Sequence, residues 1–234
     1  MHNITRTVTL LLLSILAAAA FAAEPAAAKM PNDTAVIAME VLRQLQFPAN
    51  TKREFTEQQF NPMLKAPLTS HGKVWIELDQ TMVMELTQPR PEQRRLNGDQ
   101  LALSRPRSNP DATPDFSRTH HRLQLNADKA AHLVLLAAGA LLRGNTDWVN
   151  AHFSLSHAAR QATPGEQPDP GATLTANWEV LLVPRKATLR EQLPWIRLTG
   201  ADSQLTGMRA DRGSQGWQQL DFFALTSAPT GTRQ

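Results

Sequence analysis

An uncharged apolar segment near the middle of the chain limits its fold more than any other feature. The stretch NADKAAHLVLLAAGALLRGN (126–145) predicts a helix that is capped by Asn126 or Asp128 and closed at Gly144. From Leu133 to Leu142 this helix has no charged residue. A helix of this kind must bury nearly its whole circumference or contact an apolar ligand.

Segments on both sides of this helix show the alternation of apolar and polar residues that is typical of β-strands. Three of them place apolar side chains on one face: Val74, Ile76 and Leu78; Met82, Met84 and Leu86; and Trp178, Val180 and Leu182. Asn97 and Gly98 predict a tight hairpin turn between two further strands. With a short amphipathic helix at 33–45, we predict an α+β fold in which about nine to eleven antiparallel strands wrap around helices.

The first residues have the pattern of a secretory signal peptide. A short basic start is followed by an apolar run from Val8 to Phe21, and Ala20 and Ala22 form the small-residue site that signal peptidase accepts. The run is shorter than the ~20 residues of a membrane span. We therefore predict a signal peptide (1–22), a flexible leader (23–32) and one domain (33–230). Because the chain has no cysteine, we expect neither a lipid-modified cysteine nor a disulfide, and we place the mature protein in the periplasm.

The distribution of charge argues against nucleic acid as a partner. The formal net charge is +3, and the basic residues are scattered among acidic ones rather than clustered in a stripe with aromatic residues. A weakly basic surface is instead suited to transient contact with the anionic head groups of a membrane surface.

Two glutamates in neighbouring strands, Glu57 and Glu77, raise the question of whether the protein is an enzyme with a carboxylate active site. If Val74 and Ile76 face inward, the alternation directs Glu77 to solvent. Glu57 shares a face with Phe55, and its role stays open at this point. A glycosidase needs two convergent carboxylates roughly 5–10 Å apart, and no spacing in the sequence enforces that. We therefore expect no carboxylate active site.

The histidines form no catalytic or metal-binding pattern. His120 and His121 are adjacent in a strand, so they point to opposite faces and do not readily share a metal ion. The same argument separates Ser156 from His157 and disfavours a hydrolase dyad. His132 lies in the apolar helix, where it is either a hydrogen-bonded core residue or a polar contact for a ligand head group. We predict no metal, no cofactor and no enzymatic activity.

Two stretches of the sequence carry a resemblance to a known family. REFTEQQFNPMLKAPLTSHGKVWIEL and LTQPRPEQRRLNGDQLAL combine a Phe-x-Glu strand, a Leu-x-x-Pro-Leu-x-Ser-x-Gly turn, an apolar strand, a proline-containing corner and an Asn-Gly hairpin. The residues concerned are Phe55, Glu57, Leu64, Pro67, Leu68, Ser70, Gly72, Pro89, Pro91, Asn97, Gly98 and Leu101. This ordered set resembles the lipoprotein carriers of the LolA type and their periplasmic relatives, and the order of elements is similar over essentially the whole mature chain.

The resemblance implies an incomplete, half-open antiparallel β-barrel, with lid helices over an apolar cavity that shields acyl chains. The residues expected to line this lipid-binding cavity are Phe55, Leu68, Val74, Ile76, Leu78, Met82, Met84, Leu86, Leu101, Leu103, Trp178, Val180 and Leu182. Those expected to act in the lid helix are His132, Leu133, Leu135, Leu136 and Leu141.

The resemblance also implies a function. It predicts a monomeric periplasmic carrier that takes acylated lipid or lipoprotein cargo from an inner-membrane exporter to an outer-membrane acceptor. The carriers proper have an Arg-Pro-x-x-Phe-x-Trp pattern near the third strand, whose Arg helps to hold the lid. This sequence has IELDQTMVMEL at that place, which suggests the branch associated with acylated or polyene-type lipids. Two alternatives are a non-enzymatic adaptor that docks an envelope lipid exporter and a hydrolase of envelope glycolipids.

Overall fold

The structure, a computed structural model, describes residues 32–45, 47–106, 115–116, 118–159 and 177–223. The predicted signal peptide, residues 23–31 of the predicted leader and the end of the predicted domain from residue 224 onward lie outside the described residues. The division of the chain into these parts therefore stays a prediction.

Eleven strands and four α-helices make up the described part of the chain. The strands are β1 (Arg53–Phe60), β2 (Leu68–Ile76), β3 (Met82–Gln88), β4 (Glu92–Asn97), β5 (Gln100–Ser104), β6 (Thr119–Gln124), β7 (Phe153–Ala159), β8 (Asn177–Pro184), β9 (Ile196–Ala201), β10 (Gln204–Asp211) and β11 (Trp217–Phe222). The helices are α1 (Asn32–Gln44), α2 (Ala130–Leu142), α3 (Thr146–His152) and α4 (Ala187–Arg190). None of the described helices is both long and apolar enough to cross a membrane.

All eleven strands belong to one antiparallel sheet, in the order β6-β5-β4-β3-β2-β1-β11-β10-β9-β8-β7. The first and last of the described strands, β1 and β11, pair in the middle of the sheet, from Phe55 opposite Phe222 to Phe60 opposite Trp217. The sheet edges are β6 and β7, which do not pair with each other in the described part of the chain. The prediction of an α+β fold with a half-open barrel is therefore confirmed, and the number of strands agrees with it.

Helix α2 packs its apolar side chains against the concave face of the sheet, as its uncharged sequence predicts. Its buried residues include Leu133, Leu136 and Leu141, and they belong to the same core as the inward side chains of the sheet. The contact with the sheet is close at Gly139, where an added Cβ would lie 2.7 Å from the Cδ2 atom of Leu96 in β4. Small residues on this helix thus let it approach the concave face of the sheet.

The start of α2 differs from the prediction. The helix begins at Ala130, and neither Asn126 nor Asp128 is its N-cap residue. The side-chain oxygen of Asn126 instead accepts a hydrogen bond of 2.8 Å from the backbone of Asp128, and the Asn126 backbone donates to Nδ1 of His132 over 3.0 Å. These bonds form a turn before the helix. The other end is as predicted, because Gly144 follows the helix with a φ of +69°.

Helices α1 and α3 cover the β7 side of the half-barrel. Helix α1 packs against β7, and both α1 and α2 contact α3. We predicted α1 from its apolar spacing, but α3 was not predicted. It has seven residues, and Val149 is its buried residue, so its sequence shows no helical repeat of apolar positions.

Candidate functional site

A cavity of about 440 Å³ lies between α2 and the concave face of the sheet. Its apolar wall includes Met84, Leu101, Leu103, Val134, Leu135 and Leu220. Its polar wall is formed by Glu57, Gln59, Glu92, Arg94, Arg105 and Gln218. The volume is within the range of about 300–1,000 Å³ that is usual for ligand sites. Its division into an apolar and a charged side distinguishes it from an ordinary packing defect.

The side chains that α2 presents to this cavity follow helical spacing. Ala131, Val134, Leu135 and Ala138 line it, and their separations of three and four residues place them on one face. Of these four, only Leu135 was predicted from the sequence, because apolar residues surround the helix and do not show which of its faces lines the cavity. The spacing becomes informative once the neighbouring strands are known.

Most of the predicted cavity residues lie inside the protein. The buried ones are Phe55, Val74, Ile76, Met82, Met84, Leu86, Leu101, Trp178, Val180 and Leu182. Leu103 is partly buried and packs against the same core. Met84, Leu101 and Leu103 border the cavity. The others belong to the surrounding core, and their contact with a ligand stays a prediction.

Two predicted cavity residues are exposed instead. Leu78 is 79% exposed, because β2 ends at Ile76 and the alternation does not continue into the turn. Leu68 is 59% exposed, because it is the first residue of β2 and the continuous buried alternation of this strand begins only at Gly72. Neither side chain belongs to the apolar core around the cavity.

The predicted lid residues lie in or next to the core. Leu133, Leu136 and Leu141 are buried, and Leu135 is partly buried at the cavity wall. His132 is partly exposed, and its Nδ1 accepts the backbone hydrogen bond from Asn126. This bond shows that one ring nitrogen of His132 stabilises the turn before α2.

Glu57 lies at the centre of the polar wall. Its side chain is 1% exposed, and its Oε1 atom accepts hydrogen bonds from Gln59 over 2.6 Å and from Gln218 over 2.7 Å. Its Oε2 atom accepts from Nη1 of Arg94 over 3.1 Å. Three donors therefore compensate the burial of this carboxylate.

The network continues from Arg94 to the surface. Nε of Arg94 donates to Oε1 of Glu92 over 2.9 Å. The other oxygen of Glu92 accepts from Nε and Nη2 of Arg105 over 3.0 and 2.9 Å. The chain Glu57, Arg94, Glu92 and Arg105 thus alternates in charge and runs from a buried position to one that is two-thirds exposed.

The neighbouring charges decide the ionisation of the two central groups. Burial alone would lower the pKa of Arg94, but Glu57 and Glu92 outweigh it and raise that pKa. Burial alone would raise the pKa of Glu92, but hydrogen bonds and charges from Arg94 and Arg105 outweigh it and lower that pKa. Both groups are therefore charged at neutral pH.

The carboxylates of Glu57 and Glu77 do not converge. Glu77 accepts hydrogen bonds from Arg95, one of them over 2.9 Å. Arg95 pairs with Val83 on the convex face, opposite to the face that carries Met84. Glu57 faces the cavity, so the sheet separates the carboxylates, and they are not an acid and base pair for one substrate.

Metal-binding groups do not come together within the described ranges. Among these residues, no group of three His, Asp or Glu side chains has the arrangement that a metal ion requires. Nε2 of His120 donates a hydrogen bond to the backbone oxygen of Arg105 over 2.9 Å. His121 pairs with Leu103 in the neighbouring strand.

The chain forms a half-open antiparallel barrel, and a helix lies over its internal cavity. These features define the class of half-barrel proteins with a central cavity. The family model described as outer membrane lipoprotein carrier protein LolA-like matches residues 26–228. The chain therefore belongs to this LolA-like family, and the resemblance found in the sequence is confirmed.

Solved structures of low sequence identity are similar to this chain. They include a LolA superfamily protein from Nitrosomonas europaea, with 12% identity, coverage of 82% of this chain and 92% of the other, and a TM-score of 0.38. A DUF1329 family protein from Desulfovibrio piger has 10% identity, coverage of 81% and 91%, and a TM-score of 0.36. LprF from Mycobacterium bovis has 11% identity, coverage of 82% and 92%, and a TM-score of 0.36. No curated protein sequence matches the chain.

Proposed function

We propose that the protein is a periplasmic carrier that shields the acyl chains of a lipid or lipoprotein during transfer from the inner to the outer membrane. The observation that carries this proposal is the apolar stripe of α2 facing a cavity at the concave side of the sheet. Membership of a family named for lipoprotein carriers supports it. The carrier acts as a monomer and contacts the membrane surface only transiently.

Hydrophobic burial supplies the energy for such a ligand. Each buried methylene contributes about 0.8 kcal/mol, so a chain of about 16 carbons contributes roughly 10 kcal/mol before the costs of ordering. Helix α2 covers the cavity in the structure. An acyl chain that is too long for this cavity therefore requires the helix to move. The carrier thus exchanges burial of its own apolar residues for burial of the ligand.

We also propose that the protein has no enzymatic activity. The carboxylate of Glu57 is engaged by Arg94, Gln59 and Gln218, and Glu77 lies across the sheet. Carriage of an acyl chain requires no nucleophile, metal ion or cofactor. The donor is an inner-membrane exporter and the acceptor an outer-membrane protein.

One observation favours the adaptor as a second candidate. Ten residues of α2 are buried by the protein itself, as in a helix that permanently fills its barrel. An adaptor of this kind would dock an envelope lipid exporter through its outer surface and hold no lipid.

Native mass spectrometry with lipid extraction separates the carrier from the adaptor. We expect acyl species to co-purify with the protein, and Ala131→Phe to reduce them severalfold, because the exposed Ala131 lines the cavity and the new ring would occupy it. Ala187→Phe, at an exposed alanine of α4, is the matched control and should retain the lipid. A lipid-free wild-type protein would favour the adaptor.

A further inference from the structure

The cavity continues toward the β6 edge of the half-barrel. A second hollow of about 280 Å³ shares Leu103 and Arg105 with it and is also lined by Pro106, His120 and His121. Helix α1 packs against the opposite edge, β7. In β6, by contrast, the side chains from His120 to Gln124 are exposed. The β6 edge is therefore the open side of the cavity.

Strand register determines which side chains border this opening. Met84 pairs with Arg94, and Arg94 pairs with Leu103 in β5. Leu103 in turn pairs with His121 in β6. Paired residues of antiparallel strands share a face, so His121 lies on the cavity side and the adjacent Arg122 on the convex side.

The charged side chains differ between the interior of the cavity and its opening at the β6 edge. Inside the cavity, the two arginines of the polar wall, Arg94 and Arg105, are matched by Glu57 and Glu92. Toward the β6 edge, the described lining of the second hollow has the basic or hydrogen-bonding side chains of Arg105, His120 and His121 and no acidic side chain.

The guanidinium of Arg105 is largely exposed at this opening. Its side chain is 66% exposed, and its bonds to Glu92 use Nε and Nη2. The Nη1 group, at the other end of the guanidinium, forms none of these bonds. The ring of His120 bonds to the backbone oxygen of Arg105 and so ties β6 to the end of β5.

We propose that this opening, formed by Arg105 and His121, binds the anionic head group of the ligand. The ligand is then an amphiphile with a phosphate or carboxylate head, whose hydrocarbon tail passes Leu103 and lies against Val134 and Leu135. This inference rests on the proposed carrier function and adds the chemical class of the cargo. Arg105 and His121 donate hydrogen bonds to the anion, while the balanced interior ion pairs stay intact.

Calorimetric titration of the purified mature protein, which begins near Ala23, tests the head group. The ligands are laurate, dodecyl phosphate and monolauroylglycerol, which share one chain length and differ in charge, with inorganic phosphate as the free anion. We expect both anionic amphiphiles to bind about tenfold more tightly than the neutral one. Inorganic phosphate should bind far more weakly than dodecyl phosphate, because it has no tail.

Variants at the opening locate the effect. Arg105→Gln and His121→Gln should each weaken binding of the anionic amphiphiles roughly three- to tenfold, as for partly exposed charge-assisted hydrogen bonds. Binding of monolauroylglycerol is the internal reference, and both variants should weaken it clearly less than they weaken binding of the anionic amphiphiles. Arg122→Gln is the matched control, since it removes a charge next to His121 on the convex face, and it should change neither affinity by more than about twofold.

The outcomes separate this inference from the carrier function. Equal affinity for the neutral and anionic amphiphiles, or an equal loss in Arg122→Gln, would overturn the head-group site and leave the carrier intact. Inorganic phosphate binding as tightly as dodecyl phosphate would identify a site for free anions and overturn the amphiphile. Failure of all three amphiphiles to bind would overturn the carrier function itself.

Discussion

Nη1 of Arg94 lies 3.1 Å from Oε2 of Glu57, although β4 and β1 are separated in the sheet by β2 and β3. Three steps between neighbouring strands span about 14 Å along a sheet, which is farther than these two side chains reach over a flat surface. The pair forms because the sheet is curved and its concave face brings both strands toward the cavity. The presence of this ion pair in the polar wall of the cavity therefore depends on the curvature of the half-barrel.

Removing the arginine of this pair should be costly. Arg94→Met leaves the carboxylate of Glu57 buried with two amide donors and no opposite charge. A broken buried ion pair typically costs about 3–5 kcal/mol of unfolding free energy, and we expect about 3 kcal/mol because Arg94 is 24% exposed. Denaturant unfolding measures this loss.

The ion pair on the other face of the sheet provides the control. Arg95 and Glu77 are 37% and 28% exposed, so Arg95→Met should cost no more than about 1 kcal/mol. Equal losses for Arg94→Met and Arg95→Met would contradict a special role for the inner pair.

Glu92 should make the protein sensitive to acid. Its pKa in the folded protein is lowered, because Arg94 and Arg105 outweigh the effect of its burial. The stabilisation from Glu92 is thus fully present above its unfolded pKa, near 4.5, and is lost as the pH falls through the lower folded value. Thermal unfolding between neutral and acidic pH should show a smaller decrease in Tm for Glu92→Gln than for the wild type. Parallel curves for the two proteins would rule out this contribution.

Local alternation predicted the inward faces of the strands correctly where a strand is regular. Met82, Met84 and Leu86 are buried on one face of β3, as the two-residue repeat requires, although Val83 on the other face is buried as well. The same repeat was wrong for Leu78, because the end of β2 depends on a turn in which Glu77 bonds through its backbone to Thr81. Periodicity describes a strand but does not show where it ends.

The polar wall of the cavity could not be predicted from the sequence. Glu57 and Arg94 are 37 residues apart, and their contact depends on the strand order and on the curvature of the sheet. The alternation of residues in β1 places Glu57 on the face of Phe55 but does not identify its partner. Gln218, a third member of the network, approaches because β11 pairs with β1.

Export of the protein can be tested independently of its ligand. The apolar run from Val8 to Phe21 and the small residues before Ala23 predict removal of the first 22 residues. We expect a mature chain that begins near Ala23 and is released by osmotic shock, as shown by mass spectrometry of that fraction. Recovery only with membranes, at the mass of the full precursor, would contradict both processing and periplasmic location.

A charge placed on α2 distinguishes a movable lid from a permanent core. Leu136 is 6% exposed, so a carboxylate there would cost several kcal/mol in a rigid interior. A helix that moves to admit ligand can instead carry the charge toward water. We therefore expect Leu136→Glu to cost no more than about 2 kcal/mol and to change binding of a fluorescent fatty acid severalfold.

Leu198→Glu, in the fully buried centre of β9, is the control and should lose several kcal/mol in thermal unfolding. Equal destabilisation of the two variants, with no probe binding by the wild type, would exclude a lid and favour the adaptor.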